Sequence, residues 1–245
     1  MVTCYDYTFA RLLAGSDIDG ILVGDSAAMV MHGTRSTLSA TVDMLRFHTE
    51  AVVRGAPDKF IVADMPFLSF RKGTNAALEA AGVLMSAGAH AVKLEGVEGH
   101  EDVIRRLVES GIPVMGHLGM QPQSLNVYGG FRVQGKGDDA AAEIGRQALA
   151  VQAAGAFAIV LECIPASVAA CISSSLTIPT IGIGAGNGCD GQVLVLQDLL
   201  GMTVDFKPKF VRHFLDGAGL VTGAISAFHD AVQAGTFPAD EESYR

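Results

Sequence analysis

The stretch Ala87-Gly88-Ala89-His90-Ala91-Val92-Lys93-Leu94-Glu95 returns further along the chain as Ala154-Gly155-Ala156-Phe157-Ala158-Ile159-Val160-Leu161-Glu162. Each copy reads as a helix end, a glycine stop, an apolar strand and a terminal acid. Glycine suits the place because the residue after a helix commonly turns left-handed, which costs it no steric strain. The echo therefore describes a repeated strand and helix unit, and it puts Glu95 and Glu162 at equivalent strand ends.

Outward from these copies, short apolar runs recur at residues 2–5, 20–25, 60–64, 91–95, 112–118, 157–163, 179–184 and 193–196. Helical segments separate most of them, with stops at Gly88, Gly111 and Gly155 after residues 83–87, 102–110 and 140–154. Strands alternating with helices argue for parallel pairing. Runs apolar at every position, such as Ile21-Leu22-Val23 and Ile159-Val160-Leu161, require a sheet covered on both faces. Eight such units in 245 residues match one closed (β/α)8 TIM barrel, and no linker divides the span 1–245. Long connections follow the second strand (residues 26–39) and the fifth (residues 119–137), where function is expected.

Composition narrows the class. Hydrophobic residues are 49% and charged residues 18% of the chain, which excludes disorder. Lys and Arg number 17 against 26 Asp and Glu, a net charge of −9 with no basic cluster, so a nucleic-acid partner is not expected. Cys4, Cys163, Cys171 and Cys189 share no CxxC spacing, which suggests neither zinc nor a disulfide framework and fits a reducing cytoplasm. Between Arg146 and Asp190 the only charge is Glu162, but Pro165, Pro179, three serines at 173–175 and glycines at 182, 184, 186 and 188 cut the stretch into pieces too short to span a bilayer. The start carries no secretory signal pattern.

A parallel barrel keeps its active site at the C-terminal ends of its strands. Five runs end in Asp25, Asp64, Glu95, His117 and Glu162. The first three acids, on neighbouring strands, would repel one another unless a cation joined them, and a hard ion with oxygen ligands, Mg²⁺, suits them better than zinc. Lys93 shares a strand face with Glu95 and so points inward, where an ammonium suits an anionic substrate; a buried pair with Glu95 is the alternative. Glu162, isolated among apolar neighbours, is expected to hold its proton more tightly and to act as general base or acid, against the alternative of a glutamate bonded to a hydroxyl. His117 is a candidate substrate donor or a satisfied core histidine. Gly182-Ile183-Gly184-Ala185-Gly186 is weak as a dinucleotide loop because no helix follows, and suits backbone approach to a ligand. Met29 and Met31 line a pocket or fill gaps.

Gly24-Asp25-Ser26, Ala63-Asp64-Met65-Pro66-Phe67, Val92-Lys93-Leu94-Glu95-Gly96, Gly116-His117-Leu118-Gly119, Gln121-Pro122-Gln123-Ser124, Gly129-Gly130 through Lys136, and Gly182–Gly186 with Cys189-Asp190-Gly191-Gln192 together resemble the ketopantoate hydroxymethyltransferase family, one of the phosphoenolpyruvate/pyruvate barrels. The resemblance covers almost the whole chain. It implies transfer of a hydroxymethyl group from 5,10-methylenetetrahydrofolate to 3-methyl-2-oxobutanoate through a Mg²⁺-stabilised enolate, giving 2-dehydropantoate for pantothenate and coenzyme A. It implies Mg²⁺ ligands at Asp25, Asp64 and Glu95, keto-acid contacts at Asp25, Ser26, Asp64 and Lys93, a catalytic base at Glu162, and a homo-oligomer, typically decameric. The chain departs from the family pattern at Leu38-Ser39-Ala40-Thr41, which lacks a proline, at Glu242 in place of histidine, and in starting almost on its first strand without a leading helical segment. A Mg²⁺-dependent C–C or P–C lyase or mutase on the same barrel would need a cysteine or other acid on a mobile loop, and no convincing equivalent stands out. A scaffold without activity would have no reason to keep four rim acids.

Overall fold

Asp190 and Thr180 clasp each other near the end of the barrel sequence, and that clasp sets where the last strand lies. In the computed structural model, which describes residues 1–205 and 207–244, the Asp190 carboxylate accepts from the Thr180 amide at 2.8 Å and from its hydroxyl at 2.9 Å. Gly191 then pairs with Ile181. The eighth strand is thereby Gly191–Gln192, two residues ahead of the run at 193–196 that apolarity alone selects, and Leu196 instead opens a helix.

Eight strands form one sheet in sequential order, every pair parallel. They are β1 Val2–Thr3, β2 Gly20–Val23, β3 Phe60–Asp64, β4 Ala91–Lys93, β5 Val114–Gly119, β6 Ala158–Glu162, β7 Thr180–Ile183 and β8 Gly191–Gln192. A parallel bridge between Val2 and Leu194, with the Thr3 amide donating to Leu194 O at 3.0 Å, joins the two ends of the sheet. The helices between strands are α1 Tyr7–Ala14, a single turn α2 Ala27–Val30, α3 Val42–Gly55, α4 Thr74–Ser86, α5 Glu101–Glu109, a single turn α6 Leu125–Tyr128, α7 Asp138–Ala153 and α8 Ala166–Ser175.

Local chemistry explains the helices. Asp6 caps α1 by accepting from the Phe9 amide at 2.9 Å, and Thr41 caps α3 by accepting from the Met44 amide at 3.1 Å. Acids in the first turns of α5 and α7 complement the helix dipole. Helix α7 buries Ile144, Ala148 and Val151, the i, i+4, i+7 stripe of a surface helix. Gly88, Gly111 and Gly155 all take positive φ after their helices, as the sequence pattern requires.

Along the strands, one face supplies the barrel interior. Leu22, Val62, Ala91, Met115, Ala158, Val160 and Val193 form a buried apolar cluster, in which each of the leucine, valine and methionine side chains contributes roughly 1.5–3 kcal/mol. Two residues further along the same faces lie Asp64, Lys93, His117 and Glu162, so the period of two that builds the core also builds the polar layer above it.

The chain divides into two compact units, Met1–Val195, which holds every strand, and a second from Leu196 onward. The second unit carries α9 Leu196–Leu199 and α10 Gly217–Gln233. Asp216 caps α10 by accepting from the Gly219 amide at 3.3 Å, and Thr203 donates to Asp198 at 2.7 Å.

Candidate active site

Asp64 ends β3 pointing inward, and its two oxygens are committed differently. Oδ2 accepts the Asp25 amide at 2.9 Å; Oδ1 lies 3.0 Å from Lys93 Nζ. Lys93 therefore pairs with Asp64 across the β3–β4 register, and not with Glu95 on its own strand. Asp25 lies beyond the end of β2. Strand alternation alone would turn it outward, because Leu22 faces inward and the next inward place falls on Gly24. The chain bends there instead, with Ala27 N donating to Gly24 O and Ala28 N to Asp25 O, both at 3.0 Å, and the bend carries Asp25 to Asp64. Gly24 is needed because a Cβ there would lie 2.7 Å from Ser26 Oγ and 3.5 Å from Asp64 Oδ2.

Gln123 holds this group together. Its side-chain amide donates to Asp25 Oδ2 at 2.8 Å and to Met65 O at 3.0 Å, while its backbone amide donates to Glu95 Oε2 at 2.9 Å. It is the buried residue of a 3-10 turn, Pro122–Ser124, inside the long connection after β5. Sequence reasoning marked that connection as functional but assigned Gln123 no role; a buried amide beside Pro122 offers no periodicity to read.

His117 faces Lys93, Glu95 and Glu162 at once. Nδ1 is 3.4 Å from Lys93 Nζ and 3.6 Å from Glu95 Oε1, and Nε2 is 3.2 Å from Glu162 Oε2. Burial and the Lys93 charge oppose the imidazolium, but the carboxylates of Glu162 and Glu95 outweigh them and push its pKa up to about 9. Burial likewise opposes the charge on Lys93, and the carboxylates of Asp64, Glu95 and Asp25 reverse the balance and hold its pKa above the usual lysine value. Asp25 goes the other way: burial, then the like charges of Asp64 and Glu95, raise its pKa well above the usual carboxylate range. Glu162 thus has a histidine partner and is not the isolated charge its apolar flanks suggest. The next residue, Cys163, is held at φ +47° by its amide donating to Ile183 O and its carbonyl accepting from Gln134 N, both at 2.9 Å. Left-handed backbone costs a non-glycine residue roughly 1–2 kcal/mol, so the segment following Glu162 is fixed against strain.

Ser26 is half-buried, and its hydroxyl meets the Tyr5 hydroxyl at 2.8 Å. The glycine-rich segment from Gly182 onward packs closely on the side where a Cβ would stand, while Gly186 and Gly188 are exposed. A Cβ on Gly182 would meet Gln192 and Cys189, and one on Gly188 would meet Ala170 of α8. A cavity of about 440 Å³ opens beside Gly96 and Gly119, and neither Met29 nor Met31 lines it.

The acid cluster suits a hard cation in one particular way. Glu95 Oε1 is buried without a hydrogen bond and Asp64 Oδ1 meets the Lys93 ammonium alone, four carboxylates share Lys93 and His117 as cationic partners among the described residues, and the missing side chain at Gly24 leaves room beside Asp64 Oδ2. Among the described residues no group of three or more His, Cys, Asp and Glu is arranged to hold a metal ion. A closed protein cage is therefore absent. Mg²⁺ needs none, since one or two carboxylates with water and substrate complete its shell.

Residues 1–240 match the family described as ketopantoate hydroxymethyltransferase. The chain is 57% identical to the 3-methyl-2-oxobutanoate hydroxymethyltransferase of Bdellovibrio bacteriovorus, over all of this chain and 93% of that protein. It is 52% identical to the protein of the same name from Francisella tularensis, over all of this chain and 92% of that one. Among solved structures it is similar to 2,3-dimethylmalate lyase, a PEP mutase/isocitrate lyase superfamily member, with TM-score 0.63 and 17% identity over all of this chain and 83% of the other. It is also similar to a phosphonopyruvate hydrolase in complex with oxalate and Mg²⁺, with TM-score 0.63 and 13% identity over 98% of this chain and 87% of that one. At these identities the two structures speak for the fold alone.

Proposed function

The chain belongs to the ketopantoate hydroxymethyltransferase family, and from that membership we propose that it moves a hydroxymethyl group from 5,10-methylenetetrahydrofolate to 3-methyl-2-oxobutanoate, making 2-dehydropantoate for the pantothenate and coenzyme A route. The observation that carries this reading is the convergence of Asp25, Asp64, Lys93, Glu95, His117 and Glu162 on one end of the barrel, where a small oxo acid meets acids, an ammonium and an imidazole together. The test is 2-dehydropantoate formation by purified protein with both substrates and Mg²⁺. Product that appears only with folate and disappears with EDTA supports the reading, and its absence overturns it.

In this proposal Asp25, Asp64 and Glu95 would hold Mg²⁺, one or two of them directly and the rest through water, with Gln123 fixing Asp25 and Glu95 by its hydrogen bonds. When bound, Mg²⁺ supplies polarisation of the 2-oxo group, which acidifies C3. Ser26 and Lys93 bind the substrate carboxylate, the serine by hydrogen bond and the lysine by charge, and His117 donates to the substrate while holding Glu162. The Glu162 carboxylate takes the C3 proton. The enolate carbon bonds to the methylene carried by folate, water supplies the hydroxyl, and tetrahydrofolate leaves.

The same reading makes the protein a cytoplasmic homo-oligomer, decameric by family likeness, with small-molecule partners and neither nucleic acid nor membrane. All four cysteines are free, and among the described residues no helix is long and apolar enough to cross a membrane.

A further inference from the structure

Outside the acid cluster, the connection after β2 and the middle of α3 bring two histidines together. His32 is exposed and His48 half-buried, and their Nε2 atoms face each other at 2.9 Å. The rings meet edge to face, with centroids 5.2 Å apart and planes at 69°. Neither residue takes part in the reaction proposed above.

The backbone aims this pair from both sides. His48 Nδ1 lies 2.6 Å from Tyr5 O, and a carbonyl only accepts, so Nδ1 carries the proton and Nε2 of the neutral ring keeps its lone pair turned toward His32. A hydrogen bond from the far ring nitrogen to a backbone carbonyl is how metal-binding histidines are commonly oriented. His32 stands just past the α2 turn. Its amide donates to Ala27 O at 3.3 Å, and the amides of Gly33 and Thr34 donate to Met29 O and Ala28 O, both at 3.0 Å. Gly33 takes φ +68°, a left-handed place that glycine fills without strain.

The spacing selects the kind of ion. Two imidazole bonds of about 2.0–2.1 Å set their nitrogens about 2.9 Å apart at a right angle and about 3.4 Å apart at the tetrahedral angle. The observed 2.9 Å fits adjacent corners of a square-planar or tetragonal ion, the geometry Cu²⁺ and Ni²⁺ prefer among nitrogen and oxygen ligands. Mg²⁺ favours carboxylate and water over imidazole, and the exposure of His32 leaves the other corners to water. A plain N–H···N bond spans the same distance, but at the surface it competes with water and contributes little.

We propose that His32 and His48 form a site for a tetragonal divalent ion, Cu²⁺ or Ni²⁺, separate from the acid cluster. An ion there ties the turn that follows Asp25 and Ser26 to α3. The site does not depend on the hydroxymethyl transfer proposed above.

The test uses untagged full-length protein at pH 8 with Mg²⁺ in excess, titrated with Ni²⁺ by calorimetry and with Cu²⁺ by electron paramagnetic resonance. His32→Gln is the informative variant, because its amide can still donate to His48 Nε2 but offers no ligand nitrogen. The expected result is Ni²⁺ affinity weaker by roughly tenfold or more in His32→Gln and unchanged in Asp64→Asn, with the imidazole nitrogen splitting of the wild-type Cu²⁺ spectrum reduced in His32→Gln. Added Ni²⁺ should raise the melting temperature of the wild type more than that of His32→Gln, and without Ni²⁺ the two should melt alike. Equal Ni²⁺ affinity in wild type and His32→Gln, or no binding by the wild type, leaves the pair a hydrogen bond only and overturns the proposal. Affinity that falls in Asp64→Asn but not in His32→Gln places the ion in the acid cluster and overturns it equally.

Discussion

Asp64 and Lys93 are direct partners in the β3–β4 register, and their side chains meet at 3.0 Å with both almost fully buried. A buried ion pair is weak evidence for stability, since desolvation of the two charges offsets their attraction. This pair also stands among the carboxylates of Asp25 and Glu95, whose charges help hold the lysine protonated. The arrangement keeps a positive charge and several negative ones within one dry space, which is costly for folding and useful for binding an anionic oxo acid together with a cation.

Asp64→Asn should therefore separate function from fold. The amide keeps the shape and can still accept the Asp25 amide proton, while Lys93 retains Glu95 and Asp25 as counter-charges and Asp25 loses a repelling neighbour. Thermal stability without metal should stay within a few degrees of wild type. Mg²⁺ affinity, measured by calorimetry, should fall by roughly 10- to 100-fold, with hydroxymethyl transfer falling at least as far. Normal Mg²⁺ binding and normal turnover in the variant would remove Asp64 from the metal site.

The barrel was legible because its signals are local. Glycine stops, continuous apolar runs and the paired Glu95 and Glu162 echo each follow from backbone rules that need no tertiary knowledge, and the structure keeps seven of the eight runs as strands within their limits or one residue beyond. The eighth shifted because a side-chain clasp between Thr180 and Asp190 outranked apolarity. The site was legible where inward alternation holds, at Asp64, Lys93, His117 and Glu162. Gln123 was not, since it lies in an irregular connection where no period tells which way a side chain points. The partner of Lys93 was equally hidden, because register between strands is not written in either strand alone.

Cys163 bears on whether the barrel runs cysteine-dependent lyase or mutase chemistry. Burial and the neighbouring Glu162 charge push its thiol up to about 12, so at pH 8 roughly one molecule in ten thousand carries the reactive thiolate. Iodoacetamide at pH 8 should modify exposed Cys171 and leave Cys163 untouched by peptide mass mapping, with transfer activity retained. Rapid modification of Cys163 with loss of activity would point to thiol chemistry instead.

Helix α10 presents Val221, Ile225, Phe228 and Val232, spaced i, i+4, i+7, i+11 along one face and 47%, 63%, 57% and 44% exposed. A stripe of that spacing is a packing surface, and a second copy of the chain is the partner proposed here. Sedimentation should show an oligomer for the wild type and a smaller mass for the Ile225→Asp, Phe228→Asp double variant, with the barrel still folded by circular dichroism. A wild-type monomer would end the oligomer proposal.

The proton transfer at C3 distinguishes Glu162 from its partner His117. The two side chains meet at 3.2 Å, so either could face the substrate, but their chemistry at neutral pH differs. The carboxylates of Glu162 and Glu95 raise the His117 pKa to about 9, which favours the imidazolium and a donor role. Glu162 is the acceptor of the pair. In D₂O with Mg²⁺ and no folate, the wild type should exchange the C3 proton of 3-methyl-2-oxobutanoate, and Glu162→Gln should slow that exchange by roughly 10²- to 10⁴-fold, the usual contribution of a general base. His117→Asn removes the charge beside Glu162 but leaves the carboxylate, so exchange should fall less, by roughly tenfold, as Glu162 loses its orienting partner. The reverse order, with Glu162→Gln exchanging at the wild-type rate and His117→Asn inert, would make the histidine the base and leave Glu162 to orient it.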